Sequence, residues 1–183
     1  DFRLPPGPRT VEYALLAEDL GFRAVWCPEV PAFGHDIWVT LARIAEKTNR
    51  IKFGPSVLIP SYRHPMAQAS AIATLEQIAP GRLMVGFGTG FTGRAGMGKK
   101  PLSLASMRTH IAQVRALLRG DVADIDGGLA QFLASDGWLP DRPINVPVYM
   151  AGQGPKARAL AKEIADGLIS LGAPAEGFAT CLV

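Results

Sequence analysis

The residues from Gly54 to Gly98 place the strongest constraint on how this chain can fold. Two short apolar runs, Phe53–Ile59 and Leu83–Phe87, each lead into a polar or glycine-rich loop, and an alanine-rich helical pattern lies between them. This order is typical of a βαβ unit, whose crossover places both strands parallel in one sheet with both loops at the same edge. Ligands of α/β proteins bind at that carboxyl edge. The sequence therefore predicts a small-molecule site there.

Strands and helices alternate along the rest of the chain. Further helical patterns, the clearest of them from Leu104 to Leu118, separate a series of short apolar runs. Apolar strands that alternate with helices indicate a largely parallel sheet covered on both faces, and a doubly wound sheet and a (β/α) barrel both fit. The predicted strands are Arg23–Cys27, Ile51–Ile59, Arg82–Gly88, Val146–Met150 and Leu168–Leu171, with Phe2–Leu4 as the end of a sixth.

Composition and charge exclude several classes of function. Hydrophobic residues make up 48% of the chain and charged residues 19%, which is ordinary for a globular protein. The net charge of +3 is spread along the chain, so we expect no nucleic-acid partner. No apolar run approaches the ~20 residues of a membrane span. Cys27 and Cys181 lack metal-ligand spacing. We therefore expect a cytoplasmic protein without a membrane partner or a metal site.

The loop after Leu83–Phe87 is rich in glycine. Gly88, Gly90 and Gly93 carry no side chain to prevent backbone amides from approaching an anion. One interpretation is the glycine loop of a nucleotide-binding protein or a methyltransferase. However, the spacing is GxGxG rather than GxGxxG, and no acidic residue ends a strand about 20 positions later. That interpretation also leaves the polar loop at Ser56–Pro65 unexplained.

Three segments, in this order, resemble the bacterial luciferase-like monooxygenase superfamily of TIM-barrel oxidoreductases that use FMN or coenzyme F420. They are Ala17–Trp26, Ala45–Gly90 and Val146–Ile169. The resemblance implies the α/β fold of the TIM (β/α)8-barrel family. An eight-stranded barrel needs roughly 250 residues. We therefore expect a partial barrel of about five to six parallel strands, as a single domain over residues 1–183 that is incomplete at its C-terminus and at its N-terminus.

The resemblance also implies a cofactor site. Ser56 and Val57 would form a bulge with a cis peptide bond that backs the tricyclic ring, and Thr89 and Gly90 would contact the ribityl chain or phosphate. The loop before Pro155 would lie near the phosphate, because a helix N-terminus presents unpaired N–H groups. Its residues are Gly152, Gln153 and Gly154. Coenzyme F420 is preferred over FMN, because these loops look closer to those of deazaflavin enzymes and a positive chain suits the acidic tail of F420.

Two departures from the resembling family bear on catalysis. Phe91 stands where sugar-phosphate dehydrogenases of the superfamily have an acid, which argues against a sugar-phosphate substrate. Glu29 stands near the position of an Asp-His or Glu-His pair in many relatives, so it is a candidate catalytic acid or hydrogen-bond partner. His64 precedes a helix at the ligand edge and is the second catalytic candidate.

Other polar residues carry weaker signals. His110 lies beside the apolar stripe of a helix, and we expect it at the surface or at a boundary. Arg63 and Arg94 lie in loops at the ligand edge, where they could bind acidic groups or remain solvated.

Taken with the resemblance, these features predict an oxidoreductase of the luciferase-like monooxygenase type. It would transfer a hydride between F420 or FMN and an unidentified small organic substrate, and it would form a homodimer, as is common in the resembling family. The alternative is a non-catalytic flavin-binding or structural protein with a degenerate barrel. A barrel short of strands leaves an open edge that favours pairing with another chain.

Overall fold

The computed structural model describes residues 1–134, 137–170 and 181–182 of the chain. In chain order the strands are β1 (Phe2–Arg3), β2 (Ala24–Cys27), β3 (Lys52–Pro55), β4 (Val85–Phe87), β5 (Ala123–Ile125), β6 (Gly128–Ala130), β7 (Val148–Ala151), β8 (Gly167–Ile169) and β9 (Cys181–Leu182). The helices are α1 (Thr10–Asp19), α2 (Ile37–Lys47), α3 (Pro65–Ile78), α4 (Phe91–Ala95), α5 (Leu104–Arg119) and α6 (Pro155–Ile164). Short 3-10 turns at Pro31–Phe33 and Pro60–Tyr62 follow β2 and β3.

The sheet is parallel apart from the β5–β6 hairpin. Its strands pair in the orders β1-β2-β3 and β4-β7-β8-β9. Backbone bonds join the two groups, because the N–H of Phe53 donates to the Arg82 carbonyl at 3.0 Å and the N–H of Met84 donates to the Phe53 carbonyl at 2.9 Å. The α/β class with parallel strands is therefore confirmed. Seven parallel strands are described, one more than expected, because β9 is too short to produce a periodic signal in the sequence.

Local sequence signals explain where the helices begin and end. Asp36 caps α2, since its carboxylate accepts the N–H groups of Trp38 and Val39. Ser103 caps α5, which ends at Gly120 in the left-handed conformation with φ of 90°. The apolar stripe predicted for α5 is buried against the sheet and its neighbouring helices. No helix among the described residues is long and apolar enough to cross a membrane.

The apolar side chains form two clusters, one on each face of the sheet. The larger cluster lies between the strands and the helices and includes Val25 of β2. The smaller cluster combines side chains of β2 and β7 with Met84, which precedes β4. Its largest members are Trp26 and Tyr149, whose rings contact edge to face with centroids 5.5 Å apart. Because side chains alternate along a strand, Val25 and Trp26 serve opposite faces of β2. Both faces of the sheet are therefore packed.

Several local expectations need correction. His110 is buried, with 7% of its surface exposed, because α5 packs against α3 and the imidazole Nε2 pairs with the Gln68 side-chain oxygen. The predicted strand Ile51–Ile59 ends at Pro55, where the chain turns into a loop. The predicted strand Leu168–Leu171 ends at Ile169, and Leu171 lies outside the described residues. The side chain of Cys181 lies outside them too, whereas Cys27 is buried with a free thiol.

Candidate functional site

A cleft of about 420 Å³ opens at the carboxyl ends of the parallel strands. Each wall comes from the residues that end a strand or follow it directly, so the cleft lies at the edge where the βαβ pattern predicts a ligand site. Its residues are Arg3 at the end of β1, Pro28–Val30 after β2, Ser56, Val57 and Ile59 after β3, 88–93 after β4, and Ala151–Gln153 and Ala157 around the end of β7.

The wall after β3 is a bulge built on Ser56 and Val57. The peptide bond between them is cis, as the resemblance implied. The N–H of Ser56 donates to the Cys27 carbonyl at 2.7 Å, and the N–H of Leu58 donates to the Gly86 carbonyl at 2.7 Å. The bulge is thus tied to both neighbouring strands. Its apolar side chain leaves no space beside β4, because a Cβ at Gly88 would lie 2.3 Å from Val57 Cγ2.

The wall after β4 contains Thr89 and Gly90. Gly90 has φ of +81°, a left-handed conformation that suits glycine. A Cβ at this position would also lie 2.8 Å from Ile59 Cγ2. The carbonyl of Thr89 accepts the N–H of Leu102 at 2.9 Å, which ties the loop to the segment before α5. Both predicted residues of this loop line the cleft.

The wall after β7 leads into α6. Gly152 and Gln153 line the cleft, and Ala157 in the first turn of α6 lies beside them. Gly154 is the N-cap residue of α6 and does not line the cleft. The N–H of Gly152 donates to the Ile169 carbonyl at 3.1 Å. The start of a ten-residue helix therefore borders the cleft, with its unpaired N–H groups and favourable dipole.

Glu29 is the acidic residue of the cleft. Only 6% of its surface is exposed, and its Oε2 accepts the N–H of Ile59 at 2.7 Å. Burial raises the pKa of this carboxyl to about 7, and nearby Asp36 adds to the effect, while the Ile59 N–H and the charge of Arg63 oppose it. Near neutral pH, the carboxyl therefore populates both protonation states and can release or accept a proton.

Tyr62 lies close to this carboxyl. Its hydroxyl is buried and has no hydrogen-bond partner in the described part of the chain. Burial and the charge of Glu29 raise the pKa of the phenol, while Arg94 lowers it. A Cβ at Gly93 would lie 2.7 Å from the hydroxyl oxygen, so the glycine at that position leaves room for the ring. Sequence reasoning missed Tyr62, because nothing in its neighbours distinguishes it from a loop aromatic.

The structure does not bring His64 into the cleft. The side chain is exposed, and its Nδ1 accepts the N–H of Met66 at 3.1 Å as the N-cap of α3. The two arginines of the ligand edge already have partners. Arg63 pairs with Asp36 at 3.0 Å, and Arg94 donates to the hydroxyl of Ser61.

The comparison with protein families agrees with this geometry. The sequence profile of the family described as luciferase-like monooxygenase matches residues 5–182. The chain therefore belongs to the luciferase-like monooxygenase family, and the resemblance found in the sequence is confirmed.

The chain is also similar to curated proteins named as reductases and dehydrogenases. The chain is 33% identical over 168 residues to a 5,10-methylenetetrahydromethanopterin reductase of Methanolobus tindarius, a match that covers 90% of this chain and 50% of that protein. It is 37% identical over 177 residues to an F420-dependent glucose-6-phosphate dehydrogenase of Beutenbergia cavernae, covering 86% of this chain and 50% of that protein. The chain thus spans about half the length of the curated relatives it matches.

A solved structure shows the same fold. The coenzyme F420 dependent tetrahydromethanopterin reductase of Methanopyrus kandleri superposes with a TM-score of 0.78 at 27% identity. The match covers 94% of this chain and 56% of that one.

Proposed function

We propose that this chain binds the deazaflavin coenzyme F420 in the cleft and takes part in hydride transfer to or from a small organic substrate. One observation carries the proposal. The bulge at Ser56-Val57, the loop at Thr89-Gly90 and the loop at Gly152-Gln153 form the walls of one cleft at the carboxyl ends of the strands. The names of relatives at 33–37% identity, which include an F420-dependent dehydrogenase, favour F420 over FMN.

The residues present fit such a cofactor. A volume of about 420 Å³ lies within the range of small-molecule sites. Val57 and Ile59 offer an apolar wall for a flat ring, and Thr89 offers a hydroxyl to a ribityl chain. The start of α6 offers N–H groups to a phosphate. The apolar wall suits the ring of the cofactor, and the hydroxyl and N–H donors suit its ribityl phosphate.

In such a reaction the bound deazaflavin supplies the hydride chemistry, and the protein positions the reactants and excludes water. Glu29 would hold or accept the proton that accompanies the hydride. Its Oε2 is engaged by the N–H of Ile59, so Oε1 is the oxygen that carries the proton. A carboxyl with a pKa of about 7 is well matched to proton transfer near neutral pH. The buried hydroxyl of Tyr62 lies near enough to respond to its charge.

We propose further that the sheet is one arc of a (β/α) barrel and that residues 1–183 belong to a single domain. In a flat sheet β2 and β7 would lie about 14 Å apart, because β3 and β4 stand between them. Yet the rings of Trp26 on β2 and Tyr149 on β7 are in contact. The sheet must therefore curve strongly toward the face that carries these two rings, which supports the proposal of a barrel arc. Homodimer formation stays a prediction, which sedimentation would check.

The test is a pair of titrations of the purified chain with F420 and with FMN, followed by cofactor fluorescence. We expect saturable quenching, with the lower dissociation constant for F420. Failure of a folded chain to bind either cofactor would contradict the proposal, and tighter binding of FMN would reassign the cofactor.

A matched pair of variants locates the phosphate. Nothing lies within 4 Å of a Cβ at Gly154, so both Gly154→Asp and Gly154→Asn fit, and both residues suit an N-cap. Gly154→Asp places a negative charge at the start of α6, and we expect it to weaken cofactor binding by about tenfold through repulsion of the phosphate. Gly154→Asn should bind as the wild type does. Equal affinities of the two variants would place the phosphate elsewhere.

A further inference from the structure

A second depression, of about 310 Å³, adjoins the cleft. The two are adjacent, because they share four lining residues: Arg3, Pro28, Val30 and Thr92. The remaining walls of the second depression are Leu4, Pro5, Pro6 and Phe33. We call this space the annex.

The surface that lines the annex is mainly apolar. Three of its eight residues are prolines, whose rings fix the backbone and give a wall that needs little ordering when a ligand binds. Phe33 closes one side with 57% of its surface exposed. Among the residues that the structure describes, no acid lines the annex. Such a wall favours the apolar part of a ligand through burial of its surface.

Arg3 gives the annex its charge. It is the last residue of β1 and lies at the junction with the cleft. In residues 1–134, 137–170 and 181–182, no carboxylate forms an ion pair with it, whereas Arg63 pairs with Asp36 and Arg94 donates to Ser61. A guanidinium without a protein partner, placed beside apolar walls, suits a ligand carboxylate, which it can bind with two parallel hydrogen bonds.

We infer that the annex binds the substrate as an apolar organic acid, with its hydrocarbon part against Pro5, Pro6 and Phe33 and its carboxylate on Arg3. The inference rests on the proposed function, in which the cofactor occupies the cleft and the annex is left for the substrate. It also agrees with Phe91, which is 79% exposed at the mouth of the cleft and presents another apolar surface to a ligand.

The test uses simple probes rather than a known substrate. The purified chain is titrated with sodium octanoate, 1-octanol and sodium acetate, and binding is followed by ligand-observed NMR. We expect octanoate to bind more tightly than acetate, with up to about a fourfold gain for each methylene that the annex buries. We also expect octanoate to bind more tightly than 1-octanol.

Two variants separate the charge from the apolar wall. Arg3→Gln should weaken octanoate binding by about fivefold, as for an exposed ion pair, and should change 1-octanol binding much less. Phe33→Ser should weaken both ligands. The control for Arg3→Gln is Arg119→Gln, which removes an exposed arginine at the end of α5 that pairs with Asp121. The control for Phe33→Ser is Leu129→Ser on the β5–β6 hairpin. Both controls should bind as the wild type does.

The outcomes also distinguish this inference from the proposed function. Octanoate and 1-octanol binding equally, or octanoate binding equally to Arg3→Gln and to the wild type, would overturn the inference even if F420 binds. A loss of F420 affinity in Arg3→Gln without an effect on octanoate would assign Arg3 to the acidic tail of the cofactor and would also overturn it. Octanoate binding that depends on Arg3 would support the annex even if F420 fails to bind, which would contradict only the proposed function.

Discussion

Glu18 and Glu29 lie at opposite ends of the strands β2 and β3, and their burial is almost equal, at 7% and 6% exposed. Glu18, at the end of α1, faces the amino end of β3, where its carboxylate accepts the N–H groups of Asn49, Arg50 and Ile51 at 2.7–3.1 Å. Glu29 lies at the carboxyl end of β2 and accepts the N–H of Ile59. Two glutamates that are equally shielded from solvent thus lie in different hydrogen-bonding environments at the two ends of one parallel sheet.

The number of donors decides the direction of the pKa. Burial alone would raise the pKa of Glu18, but three backbone N–H groups and the charge of Arg50 outweigh it and lower the pKa. For Glu29 burial prevails over its backbone donor and raises the pKa. A fully bonded carboxylate anchors the chain and stays charged, whereas a sparsely bonded one at the strand ends keeps a transferable proton. A small exposed fraction therefore does not by itself give the direction in which the pKa of a carboxyl shifts.

The largest effect is expected for Glu18→Ala. Removing the acceptor leaves three backbone N–H groups without their partner, so we expect the free energy of unfolding to fall by about 3 kcal/mol. Urea denaturation at pH 7 measures it. Asp19→Ala is the matched control, because Asp19 is the exposed acid next along α1. A loss below about 1 kcal/mol would show that Glu18 is not an anchor.

The next largest effect is a gain of stability at high pH when Glu29 is replaced. Its pKa is about 7 in the folded protein and 4.5 ordinarily, so its contribution to stability is complete below pH 4.5 and is lost as the pH rises through 7. Glu29→Gln should therefore be more stable than the wild type by about 2 kcal/mol at pH 8, with no gain at pH 4.5. Unfolding free energies measured across this range test it. A gain that is independent of pH would contradict the shifted pKa.

For Glu18 the sign is reversed. Its lowered pKa means that its contribution is present above pH 4.5 and is lost as the pH falls below that value. The stability deficit of Glu18→Ala should accordingly shrink in acid, while that of Asp19→Ala should stay near zero throughout.

The smallest effect concerns the charges around Glu29. Arg63→Gln should raise the pKa of Glu29, and Asp36→Asn should lower it, each by less than about one unit because both partners are solvent-accessible and screened. Carbon-13 NMR of labelled glutamate carboxyls follows the titration. Arg43→Gln, an exposed change on α2, is the control. Shifts of the same sign in both variants would point to a change of conformation instead of a charge effect.

Much of the fold was predictable because it depends on periodic patterns. The run from Gly54 to Gly98 indicated parallel strands, and the glycine at position 90 indicated a tight loop beside a ligand edge. The resemblance then named Ser56 and Val57, whose peptide bond is cis. The resemblance also pointed to Glu29, which lies two residues after the end of β2.

The rest depends on contacts between distant parts of the chain, which no local pattern records. Glu18 meets residues more than 30 positions away, and its place near the end of an amphipathic helix looks like that of any exposed acid. The position of His64 outside the cleft could not be foreseen, because a cap residue and a ligand-binding residue occupy the same kind of loop. Arg3 falls in the predicted strand Phe2–Leu4, but nothing in the sequence connects it with the cleft.

The contact between Trp26 and Tyr149 has a consequence for the width of the cleft. Glu29 and Gly152 lie just beyond the ends of these two strands, three residues after Trp26 and Tyr149 respectively. Both strands run in the same direction, so the two rings lie beneath the cleft, between the strands that lead into its opposite walls. We expect a smaller ring at either position to narrow the opening and so to reduce the thickness of the molecule that fits above the pair.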